Sequence, residues 1–136
     1  MALLVFKDAS VVVNSVDLSD HVRSVAIKYE ADTLESTAMS ATTKTRIPGL
    51  LDWSIDVEFA QDYAAAKVDA TLFSLIGAAA FTVTVKPTSG AVSATNPSFS
   101  GSALLANYEP VSGKVGDLAT AKASFKAAGT LTRAIV

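Results

Sequence analysis

The chain has 136 residues, half of them hydrophobic and 18% charged, with a formal net charge of −2 and a mean hydropathy of +0.39. It is long enough for one sizeable core, so residues 1–136 are read as a single domain, and it is too apolar for a disordered chain. The acidic balance, with a pI of about 5.2, lacks the basic footprint by which nucleic-acid binders release counterions from phosphates. Without cysteine there is no disulfide framework and no thiolate metal site. No stretch approaches the roughly 20 apolar residues of a membrane span. The opening Met1 to Asp8 lacks the charge and apolar length of a signal peptide. Synthesis in the cytoplasm and no membrane insertion are therefore expected.

In chain order, Leu3 to Phe6 reads as a short strand or an arm that docks on something. Val11-Val12-Val13 is β-branched, Asn14-Ser15 is a turn signal, and Val16-Asp17-Leu18 returns as a hairpin. Residues 22–31 alternate, with Val25, Ile27 and Tyr29 on one face and Ala26, Lys28 and Glu30 on the other. Residues 32–47 are polar with little period and read as a long projecting loop. It is a contact device in this reading, with Thr33, Leu34, Glu35, Met39, Lys44 and Arg46 as its candidate contacts. Pro48-Gly49 carries turn chemistry. Residues 51–60 then alternate strictly. Trp53, Ile55, Val57 and Phe59 form a core face, while Ser54, Asp56, Glu58 and Ala60 form a wet face.

One helix is expected over 66–76, where Val68, Leu72, Leu75 and Ile76 recur at helical spacing; Asp62 or Asp69 would serve its start and Gly77 its stop. Residues 81–85, 101–108 and 119–126 read as further strands. Residues 87–100 read as an exposed loop, and 130–136 as a last strand or arm. Strands separated by turns, with one helix, indicate a mainly β fold: a β-sandwich or barrel with one flanking helix.

Few residues carry the pattern of chemistry. Ser19, Asp20 and His21 hold the types of a catalytic triad, but sequence neighbours in a turn rarely present that geometry. The bland reading is a locally hydrogen-bonded turn. Asp56 and Glu58 lie about 7 Å apart along a strand, a separation used by glycosidase carboxylates flanking a cleft; two acids two residues apart on a strand are more often a solvated face. Gly113 and Gly116 lack the spacing and Lys-Ser/Thr of a phosphate loop. Lys122 and Lys126 read as a solvated face. Trp53 could stack on a sugar only if exposed. No Asp-rich loop suggests Ca²⁺ or Mg²⁺. No catalytic, cofactor or metal residue is assigned, and a non-enzymatic chain that works by assembling is expected. Its small-residue surface and open sheet edges would be covered by copies of itself.

The run Val13-Asn14-Ser15-Val16-Asp17-Leu18-Ser19-Asp20-His21-Val22-Arg23-Ser24-Val25 resembles the N-terminal signature of phage tail tube proteins, the major tail proteins of long-tailed, non-contractile phages. The resemblance continues through Pro48-Gly49-Leu50, Asp52-Trp53-Ser54-Ile55, Val57-Glu58-Phe59, Gln61-Asp62-Tyr63, Val68-Asp69-Ala70-Thr71-Leu72 and Ser93-Ala94-Thr95-Asn96-Pro97. It closes with Pro110-Val111-Ser112-Gly113 and Gly129-Thr130-Leu131-Thr132-Arg133.

The resemblance implies a tail-tube-type β-sandwich whose copies form rings, expected to be hexameric, stacked into a tube that conducts DNA. The implied partners are other copies of the chain, the tape measure protein, the tail terminator and the tail-tip proteins, with transient DNA contact in the lumen. The implied location is the virion, after synthesis in the host bacterial cytoplasm. Lys28, Glu30, Asp56 and Glu58 would then face the lumen. The 32–47 loop would reach the next ring, and the terminal segments would dock on adjacent subunits. Alternatives are the tube of a tailocin or gene-transfer particle, a β-sandwich carbohydrate-binding module, and an enzyme using Asp56 and Glu58.

Overall fold

The computed structural model describes residues 3–136. Among these, eight strands form one antiparallel sheet: β1 (Ser10–Val13), β2 (Val16–Asp17), β3 (Val22–Glu35), β4 (Arg46–Ala60), β5 (Phe81–Lys86), β6 (Ser98–Tyr108), β7 (Thr120–Ala127) and β8 (Thr132–Ala134). Their order is β2-β1-β5-β6-β7-β4-β3, with β8 paired to the start of β6. Connectivity forces this sheet to curl. The edge strands β2 and β3 are consecutive in the chain, and Asp17 and Val22 are only five peptide steps apart, a reach of about 18 Å at most. Laid flat, seven strands would separate these edges by roughly 29 Å. The sheet therefore wraps into a barrel-like layer around one core, with a seam where β3 comes round toward β1 and β5.

Period-2 alternation supplies that core. Val11 and Val13 of β1 are buried, as are Trp53, Ile55, Val57 and Phe59 of β4. Phe81, Val83 and Val85 of β5, Ala103 and Leu105 of β6, and Ala121, Ala123 and Phe125 of β7 complete the sheet's contribution. Across the β4–β7 ladder large residues meet small ones at Phe59–Ala121 and Val57–Ala123, while Ile55 is opposite Phe125. Phe125 meets Phe81 edge to face, with ring centroids 5.9 Å apart. Offsetting bulk in this way lets the inner face fill without strain. The β1–β2 turn has Asn14 and Ser15 at φ 48° and 68°; left-handed backbone at both central residues matches the strand twist of a tight hairpin.

The helix is shorter than the apolar spacing predicts. Helix α1 spans Val68–Leu72 and passes into a 3-10 turn at Phe73–Leu75. Ala66 at φ 60° breaks the backbone just before it, and Gly77 at φ 77° stops the run. Val68, Leu72 and Leu75 are buried and cover one end of the barrel. The 87–100 loop is likewise shortened, because β6 begins at Ser98. Asn96 organises what remains. Its buried amide donates to Gly90 O and Ala91 O at 3.0 and 3.1 Å, and its carbonyl accepts from Thr88 N at 3.1 Å.

The largest difference from the sequence reading lies at 32–47. Thr33, Leu34 and Glu35 belong to β3 and Arg46 and Ile47 to β4, so only residues 36–45 connect the strands. Pro48-Gly49 is no turn. Pro48 pairs with Thr33, and the register shifts between Ala31 and Thr33, so that Gly49 and Leu50 oppose Asp32 as a bulge. A proline without an N–H is tolerated in such an irregular ladder. A Cβ on Gly49 would sit 3.1 Å from that of Asp32, so a larger residue there would require the bulge to shift by a few tenths of an ångström. Polar composition marked this segment as loop, but cross-strand pairing carries it as strand.

Candidate functional site

The β3–β4 hairpin has two parts with different support. From Ser54 to Ala60, β4 also pairs with β7. From Glu35 back to Tyr29, and from Arg46 to Trp53, β3 and β4 have only each other. Beyond Tyr29 and Trp53, the distal part is a two-stranded ribbon with no second layer among the described residues. Its apolar side chains are therefore wet: Leu34 is 55% exposed, Ile47 52%, Leu50 81% and Leu51 61%. Leu51 shares the core face of β4 with Trp53, yet it is exposed because the body ends beneath it. Met39, in the connection, is almost fully exposed. Lys44 also lies in the connection, which is closed by Ser36 N–H donating to Thr45 O at 2.8 Å and Thr45 N–H donating to Thr37 Oγ1 at 2.8 Å. The adjacent pair Leu50-Leu51 was the sequence signal for this surface, since consecutive strand residues point to opposite faces and one leucine must leave the core.

The second feature is the outward face of β3, β4, β7 and β6. Direct pairing sets Ala26 opposite Asp56, Lys28 opposite Ser54, Glu30 opposite Asp52, and Ser24 opposite Glu58. Across β4–β7, Glu58 faces Lys122, Asp56 faces Ser124 and Ser54 faces Lys126. Lys28, Glu30, Asp56 and Glu58 thus share one open face, and none lies between layers. Among the described residues that face gathers Glu30, Asp52, Asp56 and Glu58 with Lys28, Lys122 and Lys126. Part of it is a shallow groove of about 420 Å³ lined by Asp56, Glu58, Lys122, Ser124, Asn107 and Glu109. Lys28 Nζ lies 3.8 Å from Glu30 Oε2, and the Ser124 hydroxyl donates to Asp56. Glu58 is matched by Lys122, while Glu30 and Asp52 lie opposite each other beside Lys28, so both signs are mixed over the face. Asp56 and Glu58 project from one strand face beside an open groove and do not flank an enclosed cleft from two sides, the placement a glycosidase pair uses.

Ser19 and His21 do not form a nucleophile–base pair. Ser19 Oγ accepts from Val11 N–H at 2.9 Å and lies against Asp17, whose carboxyl is held below its ordinary range by those Ser19 hydrogen bonds. His21 Nδ1 is 2.7 Å from Asp20 Oδ1, and Nε2 is 2.8 Å from Asp62 Oδ2. Both ring nitrogens are occupied by carboxylates, leaving none to serve as a base. Burial pulls the imidazole's pKa down, but the hydrogen bonds to Asp62 and Asp20 outweigh it, and the net shift is upward from 6.5. Asp62 is held below its ordinary value by the Ala64 N–H and then by His21. Nearby, burial first and Asp69 second push the Tyr108 phenol up to about 12. It stays protonated, donates to Asp69 at 2.8 Å and accepts from Gln61 Nε2 at 3.1 Å. The role of Asp62 was invisible in sequence because 41 residues separate it from His21.

Trp53 is 3% exposed, and its Nε1–H donates to Gly129 O at 2.8 Å. It therefore offers no platform for stacking a sugar. Beside it, at the seam, Val25, Ile27 and Tyr29 face Val85, Phe99 and Leu131 across an apolar cleft of about 410 Å³, entered by Phe6 from the N-terminal segment. Leu3 to Phe6, expected as a short strand or an arm, have no regular structure and are exposed.

No family model matches the chain, and no curated protein matches it. Solved structures do. A chain of the virion of a native gene transfer agent particle superposes with a TM-score of 0.75 at 16% identity, covering 96% of this chain and 98% of that one. A chain from the tail of an empty gene transfer agent particle, described with C6 symmetry, gives 0.63 at 18% identity over 82% and 81%. A chain of the extended sheath–tube complex of an extracellular contractile injection system gives 0.72 at 15% identity over 98% and 92%. The curled sheet, the short flanking helix and the long β3–β4 hairpin thus form the tail-tube-type fold, shared along nearly its whole length with components of phage-like tails and injection systems.

Proposed function

We propose that this chain is the tube subunit of a phage-like tail. Copies associate into rings, the rings stack, and the tube conducts DNA passively. The observation that carries this reading is the end-to-end correspondence with a virion chain of a gene transfer agent. The C6 symmetry of the related tail supports six copies per ring. In this reading residues 1–136 act as one domain with terminal arms. The polar face bearing Lys28, Glu30, Asp56 and Glu58 lines the lumen. There, interleaved carboxylates keep the lysines from gripping phosphates, which basic linings bind strongly and non-specifically. The distal ribbon and its tip, with Thr33, Leu34, Glu35, Met39, Lys44 and Arg46, reach the adjacent ring.

The role is structural and not enzymatic, and it requires no cofactor. Partners are further copies, a tape measure protein, a tail terminator and tail-tip proteins. The location is the virion, after synthesis in the host cytoplasm. A gene-transfer particle is favoured as the setting over a long-tailed phage only by the source of the related chains, and the genes flanking this one would distinguish them. Negative-stain microscopy across concentration, with solution mass, tests the reading. Rings or hollow tubes are expected, with or without tail-tip components as initiator. A chain that stays monomeric with those components present would overturn it.

A further inference from the structure

His21 sits at the root of the β3–β4 hairpin. It immediately precedes Val22, the first residue of β3, and β3 is an edge strand with one paired side. Asp62 follows the end of β4 by two residues. The His21–Asp62 contact therefore joins the two ends of the β3–β4 hairpin at its root, opposite the tip, beside the irregular pairing between Val22 and Ser24. The chemistry of the ring makes this contact conditional. A neutral imidazole has one N–H and can serve one carboxylate, whereas the imidazolium has two. Asp20 and Asp62 are both acceptors at 2.7 and 2.8 Å, so both bonds exist only in the cation. Asp62 is committed further, with Oδ1 accepting Ala64 N–H at 2.9 Å. The charged groups facing the ring are Asp20 from its own turn and Asp62 from the β4–α1 connection, and Lys67 acts on Asp62 from the same connection.

We propose that His21 is a protonation-dependent clamp on the root of the β3–β4 hairpin, holding the start of the edge strand through two carboxylate bonds when charged and loosening it to one when neutral. The sign follows from the partners. A histidine whose folded pKa is raised contributes stability below its unfolded pKa of about 6.5, and that contribution is lost as pH rises through the higher folded value. His21 is the single histidine and there is no cysteine, so besides the α-amino group no side chain has an ordinary pKa in that range. The consequence for assembly rests on the proposed tube function. Ring closure and stacking that use β3 would weaken across the same window.

The test begins with the unassembled wild-type chain. The imidazole signals of His21, followed by NMR from pH 5 to 9, should give a pKa above 6.5. Asp62→Asn should lower it, and His21→Gln should flatten the pH dependence of the urea midpoint over that window. A wild-type pKa at or below 6.5, or one that Asp62→Asn leaves in place, would overturn the clamp. Tube formation is read separately: the wild type should lose assembly as pH rises through the measured pKa, and His21→Gln should not. If no tubes form at any pH with initiator present, the function fails while the titration still decides the clamp. Equal pH profiles for both proteins would remove the link to assembly.

Discussion

Replacing Leu50 and Leu51 together by serine separates what the distal ribbon does for the folded chain from what it does between chains. Fully burying a leucine contributes about 2 kcal/mol. Leu50 is 81% exposed and Leu51 61%, so covering both with a neighbouring copy would add about 3 kcal/mol per subunit on that scale. The double variant should therefore raise the concentration at which rings stack by about 100-fold. Neither side chain contributes much to the free chain's core, so the unfolding free energy should move by no more than about 0.5 kcal/mol. Sedimentation velocity across concentration reads the first quantity and urea denaturation of the unassembled chain the second. Unchanged assembly with unchanged stability would show that the ribbon makes no contact. A loss of stability above about 1 kcal/mol would show that the leucines are part of the fold.

Three further outcomes follow from particular contacts. A Cβ at position 101 would lie 2.7 Å from Trp53 Cζ2 and 2.9 Å from Thr130 O, so Gly101→Ala should cost about 1–3 kcal/mol by overpacking. A shifted Trp53 emission should accompany the loss, and an unchanged urea midpoint would show that the indole is not locked there. Replacing residues 37–44 by Asn-Gly, which favours a two-residue hairpin turn, should leave the urea midpoint in place while blocking elongation; normal tubes would remove the tip from stacking. Asp56→Lys combined with Glu58→Lys should still permit tubes but slow DNA ejection, most at low salt where phosphate contacts are strongest. Ejection at the wild-type rate would take this face out of the lumen.

The strands that bury one face were the most legible part of the sequence. Trp53, Ile55, Val57 and Phe59 alternate with Ser54, Asp56 and Glu58, and nothing but a half-buried strand satisfies that period. Segment 32–47 was misread for a physical reason. A strand without a second layer has no buried face, so Thr33, Glu35 and Arg46 carry no alternation, and only backbone pairing with the opposite strand defines them. Pro48-Gly49 misled similarly, because a bulge uses the same residue types as a turn. The helix boundary failed at Ala66, whose positive φ has no sequence signature in a residue that normally favours helix. Topology was illegible, since the order β5-β6-β7 between β1 and β4 depends on pairings across the whole chain. So was the His21–Asp62 bond, which that topology creates.

The distal ribbon also explains how such a surface can exist on a free chain. A two-stranded hairpin is marginal alone, and exposed apolar strands invite indiscriminate pairing. Here Glu30, Asp32 and Glu35 on β3 and Arg46 and Asp52 on β4 are interspersed with Leu34, Ile47, Leu50 and Leu51. A flat hydrophobic partner would bury those charges without compensation, at a cost that outweighs the leucine contacts. A partner surface that offers both apolar cover and polar groups at the matching spacing avoids that cost. Under the proposed tube function, another copy of the same chain, presented in a fixed orientation by a ring already formed, would meet this requirement at every subunit in the same way. On that proposal, the charges that keep the ribbon from associating with the wrong surface would also make stacking wait for a correctly oriented ring.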